Sequence, residues 1–142
     1  MGSLDKYRVD KRLSLEDAAA FHGHKGPFLI LGYRAGIYAV ELLKPKTEFD
    51  LEAVLGMPLK TPYTCIVDGF QCATKCTVGK GNIRLMHNSS VSIFVKNRKT
   101  NKSVRMVLRD KYASLFNSID LEEAINMAEK TEIGNLFEII SE

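Results

Sequence analysis

The sequence predicts an α+β domain, with helices packed on one face of a mixed β-sheet. Three observations predict it. Two helical patterns open the chain, a strand–helix–strand unit follows, and alternating segments suited to antiparallel strands come next, ahead of C-terminal helices. The 142 residues are about one domain's length, and a domain of that size buries roughly 70% of its unfolded surface. It therefore needs no disulfide framework. At 45% hydrophobic and 26% charged residues, the composition excludes disordered, collagen-like and coiled-coil classes.

Residues 1–13 read as a polar N-terminal arm. Ser14 is suited to cap a helix in which Asp17 occupies the third position and Leu15, Ala18, Ala19 and His22 share a stripe. Gly23 suits its end. Pro27, at a favoured first position, opens a second helix to about Leu43, and Pro45 stops it. Gly32 and Gly36, four apart in that helix, suggest the close approach of another backbone. Leu51–Gly56 fits either a short helix or a strand. Tyr63–Val67 reads as a strand, and Asp68 as the cap of a helix over Gly69–Lys75. After a turn at Gly79–Asn82, strands are expected at Ile83–His87, Val91–Lys96 and Ser103–Leu108, the last two joined by the polar loop Asn97–Lys102. Alternation turns Val91, Ile93 and Val95 to one face, and Val104, Met106 and Leu108 inward. Residues 112–142 read as an acidic helical C-terminal extension, with a helix from Asp120 to about Lys130 and an apolar tail at Leu136–Ile140 able to pack.

The net charge of +3 hides a segmentation: residues 84–111 carry +7 and residues 112–142 carry −6. The basic residues fall on the outer face and loop of the expected hairpin, with no interleaved aromatic platform, so nucleic acid is not an expected partner. The apolar stretch Pro27–Leu43 contains Arg34 and Glu41 and is too short to span a bilayer, so no membrane partner is expected either. Three cysteines and no basic-then-apolar leader pattern suggest a reducing, cytoplasmic setting with free thiols.

Three groups of residues could carry chemistry. His22-Gly23-His24 lies between two helices, where imidazoles two apart are able to share a metal if Gly23 breaks the helix. Taken alone it is a weak signal, equally read as one core histidine and one loop histidine. Cys65, Cys72 and Cys76 have no zinc-ribbon spacing, and each could be a small buried hydrophobe. Cys65 stands out because it sits just before a helix start, where backbone N–H groups favour a thiolate. Thr77–Asn82 is glycine-rich, but it follows a helix and precedes a strand, the reverse of a phosphate-binding loop. Lys80 and Asn82 remain candidates to face a site.

Two blocks together resemble the FmdE family, which is named for its association with formylmethanofuran dehydrogenase. The first is Phe21-His22-Gly23-His24-Lys25-Gly26-Pro27 with Gly32-Tyr33-Arg34. The second is Cys65-Ile66-Val67-Asp68-Gly69-Phe70-Gln71 with Cys76-Thr77-Val78-Gly79-Lys80-Gly81-Asn82. A later match is Lys102-Ser103-Val104-Arg105, and no cysteine follows Cys76, so the chain looks like the core domain without a C-terminal zinc ribbon. The resemblance implies a homodimer binding a transition metal, often zinc. Its ligands would be His22, His24 and Cys65, with Cys76 or water as a fourth, and Asp68 and Gln71 would support them or face the substrate. It also implies an accessory or metal-handling role linked to molybdenum or tungsten formylmethanofuran dehydrogenase metabolism, and a possible larger oxidoreductase complex. Two alternatives stand beside it. One is an enzyme using a Cys65 thiolate or a metal-bound water, and the other is a structural subunit with a degenerate site. The second arises because Gly26 stands where the family has a cysteine, Phe28 where it has a glycine, and Lys75 where a glycine precedes Cys76.

Overall fold

The structure, a computed structural model, describes residues 12–142, so the first eleven residues of the expected arm lie outside it. In chain order it contains α1 (Leu15–His22), α2 (Pro27–Leu43), β1 (Leu51–Met57), α3 (Cys65–Thr74), β2 (Ile83–His87), β3 (Ser92–Asn97), β4 (Ser103–Leu108), α4 (Asp110–Leu115), α5 (Leu121–Lys130), α6 (Ile133–Leu136) and β5 (Phe137–Ser141). The strands form one mixed sheet in the order β2-β1-β3-β4-β5, in which β1 and β2 are parallel and the other pairs antiparallel. The α+β arrangement predicted from the sequence is therefore the observed one. Among the described residues no helix is long and apolar enough to cross a membrane.

Local chemistry sets the first two helices. Ser14 Oγ accepts from the Asp17 N–H while Asp17 Oδ2 accepts from the Ser14 N–H, each at 3.0 Å. This reciprocal cap is worth about 1 kcal/mol. Helix α1 ends at Gly23, whose φ of 115° is costly for any side chain. Pro27 opens α2, and Phe28, Leu29, Ile30 and Leu31 are all buried. A helix buried on successive residues is covered on every side, and each such side chain contributes about 1.5–3 kcal/mol by leaving water.

Helix α2 is crossed at very short range by α3. A methyl group at Gly32 would stand 2.0 Å from the Ile66 carbonyl oxygen, and one at Gly69 would stand 2.1 Å from that of Leu29. At Gly36 it would meet the Ala73 methyl at 2.7 Å. The Gly32/Gly36 face anticipated from the spacing is thus consumed inside the chain, by α3.

This crossing corrects one sequence expectation. Tyr63–Val67 is not a strand. Its backbone is already helical, with Cys65 N–H bonded to Pro62 O at 3.0 Å, Ile66 N–H to Tyr63 O at 3.2 Å and Val67 N–H to Thr64 O at 3.1 Å. The β-branched run favours a strand locally, but docking onto α2 buries Ile66 and Phe70 as a helix and outweighs that preference. Asp68 consequently lies inside α3 and does not cap it. The undecided segment Leu51–Gly56 lies in strand β1, between β2 and β3 in the sheet, and takes the place of Tyr63–Val67 in the strand–helix–strand unit.

The remaining strands follow the alternation. Val91, Ile93 and Val95, with Val104, Met106 and Leu108, are buried against the helices, and Arg105 is exposed. The C-terminal extension is not helical throughout: it ends in β5, which pairs Phe137 with Leu108 and Ile139 with Met106. Phe137 is fully buried, so the apolar alternation of the tail is satisfied as an edge strand. This sets the acidic segment beside the basic one, with Glu138 opposite Val107.

Gly32→Ala and Gly69→Ala should each lower stability by about 1–3 kcal/mol or more, because backbone and not a pliable side chain occupies the space. Gly134, with nothing among the described residues within 4 Å of its added methyl, is the control, and Gly134→Ala should leave the urea midpoint unchanged or slightly raised. Equal midpoints for Gly32→Ala and Gly134→Ala would refute the tight crossing.

Candidate functional site

The α1–α2 junction and the start of α3 meet at one place. His22 is the last residue of α1, the left-handed Gly23 turns the chain, and His24 follows before Gly26 caps α2. The two imidazole rings lie 4.8 Å apart, centre to centre, at 45°. From α3, Asp68 Oδ2 stands 2.6 Å from His22 Nδ1. With the carboxylate as acceptor, Nδ1 is the donor, and in the neutral imidazole Nε2 then keeps its lone pair. That Nε2 is buried and has no hydrogen-bond partner among the described residues. A buried acceptor left unpaired costs about 1–3 kcal/mol, so the arrangement is of the kind that a ligand completes.

Cys65, the first residue of α3, lines the same cavity of about 170 Å³ as His22, His24 and Gly26. Its thiol is pushed above the ordinary range, first by burial and then by the negative Asp68, against a smaller lowering from a backbone hydrogen bond. Among the described residues, no three His, Cys, Asp or Glu side chains are arranged to hold a metal ion. His22, His24 and Cys65 share a cavity without converging on one point. Gly26 leaves room there: an added Cβ would lie 3.7 Å from His24 Nε2, and its φ of −148° suits any residue.

The other residues singled out from the sequence sit elsewhere. Cys76 follows the far end of α3, about 15 Å along the helix from Cys65 at 1.5 Å per residue. It is fully buried, with its sulfur 3.8 Å from Leu51 O. Asn82 is buried and ties its own turn to the entry of β1: its Oδ1 accepts from Thr77 N–H, and its Nδ2 donates to Glu48 O and Leu51 O. Gln71 Oε1 accepts from Val78 N–H at 2.9 Å. Gln71 and Lys80 line a second cavity, apart from the histidines. Cys72 is buried beside Ala18 and Leu29.

Sequence reasoning missed the wall that the C-terminal segment supplies. Phe116, Asn117 and Leu121 close the histidine cavity, with Phe116 edge-on to Phe28 at 6.2 Å. Two residues of the first block hold this segment. Arg34 Nη1 donates to the carbonyls of Ala128 and Thr131 at the end of α5. Lys25 Nζ lies 2.8 Å from Glu129 and 3.3 Å from Glu16, and the hydrogen bond to Glu129 foremost raises its pKa. Lys25 in the opening block and the acidic Glu129 about 100 residues later were the available signal, but charge alone names no partner, and Arg34 binds backbone carbonyls that no charge pattern marks.

Residues 21–141 match the family described as FmdE, Molybdenum formylmethanofuran dehydrogenase operon. The chain is 30% identical over 112 residues to a probable S-adenosyl-L-methionine-binding protein of Archaeoglobus fulgidus, a match covering 77% of this chain. The chain spans only 30% of that curated relative's length. Its fold resembles the crystal structure of a tungsten formylmethanofuran dehydrogenase FmdE-like protein from Syntrophus aciditrophicus. The TM-score is 0.61 at 20% identity, covering 90% of this chain and 69% of the other. That likeness concerns the fold. The family match takes in both the histidine junction and the Asp68 that backs it, and on that match the chain belongs to the FmdE family.

Proposed function

We propose that this protein is a metal-binding subunit or accessory factor of formylmethanofuran dehydrogenase-type metabolism, with zinc as the expected ion and His22 as the anchoring ligand. One observation carries the reading: a buried Nε2, unpartnered among the described residues, on an imidazole whose other nitrogen is bound by a carboxylate. Carboxylate backing of this kind orients metal-ligating histidines and raises their basicity. His24 and Cys65 are the nearest further donors, and gathering them onto one ion requires rotation of their side chains. When bound, a divalent ion supplies a Lewis-acid centre. The protein's own part is to orient His22 through Asp68 and to shield the cavity with Phe116 and Leu121. Dimerisation and membership of a larger oxidoreductase assembly belong to this reading. A dimer would use a surface other than the Gly32/Gly36 face, which α3 covers.

A Cys65 thiolate nucleophile is the less favoured chemistry. Burial and Asp68 raise the thiol pKa by more than a backbone hydrogen bond lowers it, so without metal the group is protonated at neutral pH.

Titration with Co(II), read by visible absorption, should give one equivalent bound by the wild type and none by His22→Ala. Asp68→Asn should bind about 10–100-fold more weakly. Gly26→Cys should bind more tightly and add a thiolate-to-cobalt charge-transfer band. Undiminished binding by His22→Ala would show the ligand set to be wrong.

Iodoacetamide should modify Cys65 of the metal-free protein slowly at pH 7, with the rate climbing only above the ordinary thiol range. The sign follows from the raised pKa: fewer thiolates form at a given pH. Asp68→Asn removes one of the two raising causes and should move the profile to lower pH. Rapid modification at neutral pH would instead favour the nucleophile.

A further inference from the structure

The helices cover one face of the five-stranded sheet. Alternate residues of each strand turn to the other face. Among the described residues, all of these except Gly56 are half-buried or exposed. The strand register joins them into rows. Arg84, Val54, Phe94, Arg105 and Ile140 stand side by side from β2 to β5, and Met86, Gly56, Ser92, Val107 and Glu138 form the next row. A sheet face left to water is ordinarily polar. This one carries Val54, Phe94 and Val107 on its three inner strands, with Met86 54% and Ile140 45% exposed at its two edges. A shallow hollow of about 140 Å³ lies among Glu52, Val54, Arg84 and Phe94. Contiguous apolar surface of this kind, rimmed by polar groups, marks an interaction site.

Charge gives the face a direction. Glu52 stands opposite Lys96, and the Arg105 guanidinium lies 5.3 Å from the centre of the Phe94 ring. The other two strand charges on this face sit at its edges and differ in sign: Arg84 on β2 and Glu138 on β5. A surface positive at one edge, negative at the other and apolar between is complementary to itself. Consider two copies face to face, related by a two-fold axis along β3, the middle strand. Each β2 then lies over the other copy's β5. Phe94 meets its own counterpart at the axis, and Arg84 and Met86 fall over Glu138 and Ile140 of the second copy. This is ordinary sandwich packing, with sheets about 10 Å apart and strands within about 30°. Five strands about 4.8 Å apart and about 20 Å long cover roughly 500 Å² a side, or about 1,000 Å² for the pair. That is the lower bound of a specific interface, which suits a dimer of micromolar affinity.

We propose that the open sheet face is the surface through which two copies of this chain pair, β2 of one over β5 of the other. The inference rests on the dimer of the proposed function and names its surface; metal at the histidines does not enter it.

The test is sedimentation equilibrium of the full chain across the micromolar range. The wild type should pass from monomer to dimer. Phe94→Glu, which would bring two carboxylates together at the axis, should abolish the dimer. Arg84→Glu and Glu138→Arg should each weaken it about tenfold or more, because each sets like charges opposite one another. The double variant, with both charges reversed, should regain most of the wild-type affinity. Arg84 and Glu138 are exposed, so both single variants should keep the wild-type urea midpoint at dilute protein, and the charge series stands even where Phe94→Glu fails to fold. A dimer of unchanged affinity in Arg84→Glu and Phe94→Glu would overturn the sheet face and leave the dimer itself standing. Weakening by both single reversals without rescue in the double variant would overturn it too. A wild type monomeric throughout would overturn the dimer as well. Dimerisation gained only on removing residues 1–11 would then give the face to the N-terminal arm.

Discussion

The contact between the backbones of α2 and α3 is the constraint on which the rest of this fold depends. Gly32 and Gly69 let two helices approach until each carbonyl lies where a side chain would begin. Dispersion and hydrophobic burial both gain from that distance, since the buried side chains of α2 interleave with Ile66 and Phe70 without intervening bulk. The same contact decides the conformation of the segment around Tyr63–Val67. A strand there would carry no face to place against α2, and the chain would lose the core that β1 and β2 share with α3.

The histidine site is a consequence of this crossing. Asp68 precedes Gly69, so the register that seats Gly69 against Leu29 also delivers the Asp68 carboxylate to the end of α1. Cys65, one helical turn earlier, falls in the cavity below the two imidazoles. The cavity is closed by residues that follow β4, and these are held to the opening block through Arg34 and Lys25. Lys25 spans two carboxylates in a half-exposed setting, where ion pairs contribute little energy, so its effect is chiefly to define the position of the loop bearing His24.

Much of the fold was legible in the sequence because the signals were local. The Ser14–Asp17 cap, the Pro27 start, the breaks at Gly23 and Pro45 and the alternation in β3 and β4 each depend on residues within a turn or a strand of one another. Tyr63–Val67 was misread for the complementary reason. Its β-branched residues favour extension, and only a glycine pair more than thirty residues apart converts them to helix. The tail Leu136–Ile140 was legible as apolar but not as a strand, since its partner β4 is fixed only by sheet order. Within the site, His22, His24 and Cys65 were nameable from motif and spacing, whereas the separation of Cys76 was not. A helix of ten residues carries two cysteines to opposite ends, and that distance appears only once the helix is known to begin at Cys65.

The sequence by itself determined the fold class, the donors available for chemistry and the glycine spacing that demands a close helix crossing. All of these are properties of residue type and short-range order. The tertiary structure alone decided which donors share a cavity, which nitrogen of His22 is left without a partner, and that Asn82 and Cys76 serve the interior. It also decided that the basic hairpin and the acidic tail are neighbours in one sheet. Each of these depends on contacts between residues far apart in the chain, and such contacts are set by how the helices and strands fill one core.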